Sequence, residues 1–100
     1  MNELEKIRMA QVALQDVLPL FKGRLMLGPR FEEPETRTRL AHTVAKIENS
    51  TSLPDLQVAL EMSMGMLEEI WPHNYTWLTG EHHMGNMRFA LRAVKSKKED

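Results

Sequence analysis

The chain has 100 residues, one domain's worth, with 42% apolar and 27% charged residues; that balance supports one packed core and argues against a disordered chain. Its net charge of −1 gives no global attraction to nucleic acid or to an anionic membrane. It has no cysteine, which excludes disulfides, thiolate nucleophiles and cysteine-ligated zinc.

The opening stretch, MNELEKIRMAQ, carries acids and no long apolar run, so it does not read as a secretory signal. No segment approaches the ~18 uninterrupted apolar residues of a membrane span. The expectation is a cytoplasmic protein. A first helix is expected from Asn2 to Leu18. Leu4, Ile7, Leu14, Val17, Leu18 and Phe21 recur at helical spacing, with Ala10 on the same side. Asn2 suits the N-cap, with Glu5 three residues on. Pro19 lacks an N–H and crowds the carbonyl four residues back, so it is expected to end or kink the helix.

Residues 21–34, FKGRLMLGPRFEEP, read as a long loop broken by Gly23, Gly28, Pro29 and Pro34. Its apolar members, Leu25, Met26, Leu27 and Phe31, are expected to fold over the core. A second helix follows over 35–49. Leu40, Ala41, Val44 and Ile47 point inward, and Pro34 suits a first-turn position.

The third helix, expected over 54–71, carries the strongest pattern. Ser52 is the candidate N-cap. Leu53, Leu56, Leu60, Met64, Leu67 and Trp71 form one stripe, and Val58, Met62 and Met66 a second. Apolar residues on two sides imply cover on two sides, from this chain or another. Gly65, mid-helix, costs about 1 kcal/mol relative to Ala and suggests a close helix crossing. HNYTWLTG is a loop, and Thr79 a candidate cap for a fourth helix over 80–96. There Met84, Met87, Leu91 and Val94 share a face, with Phe89 off it. KSKKED is a charged end. The chain therefore reads as all-α: a compact four-helix bundle-like domain over 1–95 with a long loop between helices 1 and 2 and a charged tail over 96–100.

The stretch KIENSTSLPDLQVAL, Lys46 to Leu60, resembles the back half of a phage-repressor-type helix-turn-helix domain, in which Ile-Glu-Asn ends the recognition helix. That family places a Gln-x-x-Leu-Ala helix well upstream. Here Leu40-Ala41 stands only six or seven residues before Ile47-Glu48-Asn49, too close for a recognition helix to fit between. From Ile47 to Met87 there are also six acids and no Lys or Arg, the wrong sign for phosphate. Helix-stop and helix-start chemistry accounts for the match, and no family is recognised.

Candidate chemistry is sparse. His42, His73, His82 and His83 lack converging zinc spacing. There is no glycine-rich phosphate loop and no nucleophile elbow, so neither an enzyme nor a bound metal or cofactor is expected. Eight methionines in 100 residues are many, and five fall in the last two helices; methionine adapts to irregular surfaces. Trp71, Tyr75 and Trp77 are all the Trp and Tyr present, residue types common at binding hot spots.

The expected function is a small protein-binding module: an adaptor, a regulatory subunit, or an inhibitor of the phage type that occupies a functional surface of a host complex. The candidate partner-binding residues are Met62, Met66, Tyr75 and Trp77, the acids Glu61, Glu68 and Glu69, and the cations Arg88, Arg92 and Lys95. A homodimer is a candidate assembly. The alternative is a regulatory protein that binds nucleic acid through Arg88, Arg92, Lys95, Lys97 and Lys98, or mimics it through the acidic third helix.

Overall fold

A computed structural model describes residues 2–27, 33–70 and 81–96. Four helices account for nearly all of them: α1 (Glu3–Met26), α2 (Pro34–Asn49), α3 (Leu53–Ile70) and α4 (Glu81–Lys95). Among the described residues there is no strand, and none of the helices is long and apolar enough to cross a membrane. The all-α bundle expected from periodicity is the fold.

Local chemistry sets the helix starts. The Asn2 side chain accepts the Glu5 N–H at 2.8 Å, satisfying one of the first-turn donors. Pro34 occupies the first turn of α2, where its missing N–H costs nothing. Ser52 caps α3: its Oγ accepts from the Asp55 N–H at 3.4 Å, and its carbonyl from the Leu56 N–H at 2.9 Å.

Pro19 does not end α1. The helix runs seven residues further, to Met26, so residues 21–26, the first part of the expected long loop, are helical. The reason is tertiary. Pro19 and Gln15 both lie on the exposed side, so the carbonyl that loses its partner faces water. Phe21, two residues on, is fully buried, and Leu20 and Leu25 pack on the core. Helical continuation buries about a Phe and parts of two Leu, on the order of 1.5–3 kcal/mol for each side chain fully covered. That offsets a proline defect of about 3 kcal/mol.

α1 and α3 pack on each other, and each also touches α2 and α4. Leu14, Val17, Phe21, Leu40, Leu56, Leu60, Leu67 and Met87 are among the buried side chains where these helices meet. The two apolar stripes of α3 are thereby largely absorbed. Leu56, Ala59, Leu60, Ser63, Met66, Leu67 and Ile70 form one wide buried arc, with Leu53 and Met64 packed against the core. On α2 the inward positions are Leu40, Thr43, Val44 and Ile47, with Thr43 donating to the Arg39 carbonyl at 2.8 Å; Ala41, expected inside, is exposed, at the edge of that stripe. On α4, Met84, Met87, Ala90 and Val94 are buried and Leu91 packs beside them, as the periodicity implied.

α1 and α4 are antiparallel. Lys6, buried near the start of α1, donates from Nζ to the Ser96 carbonyl just past the end of α4 at 2.7 Å. At the other end, Asp16 of α1 faces His83 (3.4 Å) and His82 (3.9 Å) at the start of α4. The expectations for Phe31, Trp71, Tyr75, Trp77, Thr79, His73, Lys97 and Lys98 fall outside the described residues.

Candidate functional site

α2 and α3 form an antiparallel hairpin tied at both ends. Lys46 pairs with Asp55 at 3.2 Å beside the connection. At the far end Arg39 clamps Glu69 with two nitrogens, its Nε lying 3.2 Å from Oε2, and Thr36 donates to the same carboxylate at 3.4 Å. The Arg39 hydrogen bond holds the Glu69 carboxyl below the usual carboxylate range, against a smaller opposing effect of burial. Hydrogen bonds from Lys46, then from Ser52, lower Asp55 likewise. These side chains are substantially solvated, so the pairs fix register more than they add stability.

Between the two helices lies an open groove of about 580 Å³. Its walls are Arg39, His42 and Thr43 from α2, and Glu61, Met62, Met66, Glu68 and Glu69 from α3. Gly65 lies at its floor. A Cβ built on Gly65 meets no atom within 4 Å. Among the described residues no helix crosses closely at Gly65: the glycine faces outward into the groove, exposed, rather than toward a neighbouring helix of the bundle. Val58 continues the same outward face and is 45% exposed.

The candidate partner residues separate into three groups. Met66 is only 3% exposed, so its side chain belongs mainly to the core and reaches the groove as part of its lining with little surface to offer. Met62 is half-buried and reaches the groove. Glu61 and Glu68 are exposed along it; Glu61 accepts from Gln57 at 3.2 Å, and among the described residues neither carboxylate has a cation partner. Glu69 lines it too, but is engaged by Arg39. Arg88, Arg92 and Lys95 are exposed on α4, which packs on α1 and α3 and not in the α2–α3 groove. Tyr75 and Trp77 lie outside the described residues.

Three features escape sequence reasoning. His82 and His83 converge on Asp16 from a different helix, with Asn86 Nδ2 3.3 Å from His82 Nε2. Among the described residues no group of three or more His, Asp or Glu could hold a metal ion. Val12, 71% exposed, and Phe89, 64% exposed, border an apolar hollow of about 360 Å³ between α1 and α4. The signal for Val12 was present: it stands off the inward stripe of α1, four residues from Arg8 and four from Asp16. The groove on α2 needed the helix pairing before His42 and Arg39 could be placed in it.

Compared with protein families, curated proteins and solved structures, the chain matches none at a significant level.

Proposed function

We propose that this chain is a small non-enzymatic binding module whose α2–α3 groove receives a cationic amphipathic helix of another protein. The observation that carries this reading is the groove floor. Gly65 weakens α3 by about 1 kcal/mol relative to Ala, and among the described residues no neighbouring side chain uses the space its missing Cβ leaves. A bare backbone facing outward admits a second helix at close range, with Met62 and Val58 supplying apolar contact. Glu61 and Glu68 supply charge that selects Lys or Arg on the incoming helix and steers its approach. Occupying such a surface is how an adaptor or an inhibitor acts, without chemistry of its own.

The test has two steps. Wild-type protein retrieves its binding partner, and the bound segment is then synthesised and measured by calorimetry. Gly65→Leu, which fills the groove, and Glu61→Lys with Glu68→Lys, which reverses its charge, should each weaken binding about tenfold or more. A bound segment without Lys or Arg, or affinities unchanged by both variants, refutes the proposal.

A further inference from the structure

We infer that the outer face of α1, together with Phe89 of α4, is a self-complementary surface that docks a second copy of this chain about a two-fold axis at Val12. The inference concerns the face bordering α4 and does not rest on the α2–α3 groove.

The pattern is in the spacing. Arg8, Val12 and Asp16 follow one another at intervals of four along the exposed side of α1. Eight residues of helix place the two charges about 12 Å apart along the axis, with Val12 midway. Among the described residues Arg8 has no ion-pair partner. Set an identical helix antiparallel against this one with the two-fold axis through Val12. Val12 then meets Val12, and each Arg8 meets the other copy's Asp16. An isologous interface requires that reciprocity: residue i touches j, and j touches i. A partner with uniform charge would satisfy one end of the line and repel at the other, so the arrangement favours a copy over a simple acidic or basic surface.

The apolar content fits the same operation. Phe89 stands exposed beside a hollow of about 360 Å³ whose walls include Met9, Val12, Ala13 and Ala90. A knob next to a hollow on one protomer is a hollow next to a knob on the other, so each Phe89 has a receptacle across the axis. Exposed aromatic side chains with an apolar pocket in reach are the usual anchors of such contacts. Arg8, Asp16 and Asn86 at the edge of the hollow form the polar rim.

Sedimentation equilibrium of the whole chain, from micromolar to millimolar concentration, tests this. The wild type should show a reversible monomer–dimer equilibrium. Val12→Glu, at an exposed position, should shift it toward monomer about tenfold or more with an unchanged thermal melt. Arg8→Asp makes both charged positions acidic, and Asp16→Arg makes both basic, so each variant alone should dimerise weakly. An equimolar mixture of the two should restore dimer, because only the mixed pair regains both opposite-charge contacts. Circular dichroism of each variant checks the fold, since Asp16 also faces His83. A wild type that stays monomeric throughout overturns the inference. So does a dimer that persists in Val12→Glu, or a mixture no more dimeric than its components, since either outcome places any association on another face.

Discussion

Gly65→Ala offers the most direct check on the reading of α3. Glycine inside a helix loses more backbone entropy on folding than alanine, at a cost of about 0.5–1 kcal/mol. Whether that gain is realised depends on what the new methyl meets. At Gly65 it meets nothing within 4 Å, and the backbone is not in the left-handed region that would strain an L side chain. No steric term opposes the propensity term, so the substitution should stabilise the protein by the full amount. For a domain of this size that corresponds to a rise in melting temperature of about 3–6 °C. Thermal melts and urea titrations followed by circular dichroism would read it, with the midpoint rising and the slope unchanged. Gly85, equally open, is the control: Gly85→Ala should stabilise similarly yet leave partner binding alone, since it lies on α4. Destabilisation by Gly65→Ala, or no change while Gly85→Ala stabilises, would refute the reasoning, because something in the folded chain would then occupy the space above Gly65.

The two methionines of the former second stripe should behave oppositely. Met66→Glu places a carboxylate in the core and should cost about 4 kcal/mol or more, since truncating a buried Met alone costs about 2–5. Met62→Glu, at the half-buried groove edge, should cost within about 1 kcal/mol, and urea denaturation separates the two outcomes. For pH, the folded-state carboxyls of Glu69 and Asp55 lie below their ordinary values. Their contribution is therefore present above the unfolded-state values, about pH 4, and is lost as pH falls through the depressed folded ones. Stability should decline as pH drops below about 5, and Arg39→Met should flatten part of that decline. An identical pH profile for Arg39→Met would show that the Arg39–Glu69 pair contributes nothing.

Sequence alone determined the helices and where most of them begin. Asn2, Pro34 and Ser52 act within one turn of themselves, so their capping and first-turn roles need no tertiary partner. The inward faces of α1 and α4 were legible too, apart from Leu4, expected on the α1 stripe but 55% exposed at the helix start, because each helix hides one stripe and water selects the rest. Tertiary structure decided what a local rule could not. Pro19 obeys its local preference only if nothing downstream needs the helix; burial of Phe21 outweighs it. Met62 and Met66 are four residues apart, chemically identical and both on the groove lining, and only the packing of the helices leaves one half-exposed and the other buried. Gly65 could have faced a neighbour or open space, and periodicity does not say which. The charged groups diverge most from local expectation. Lys6 is buried because the end of α4 lies above it, and Asp16 meets two histidines some 65 residues away. Helix formation is governed by neighbours in sequence, whereas the use of each exposed face depends on how rigid helices pack, and that is settled only when all four are assembled.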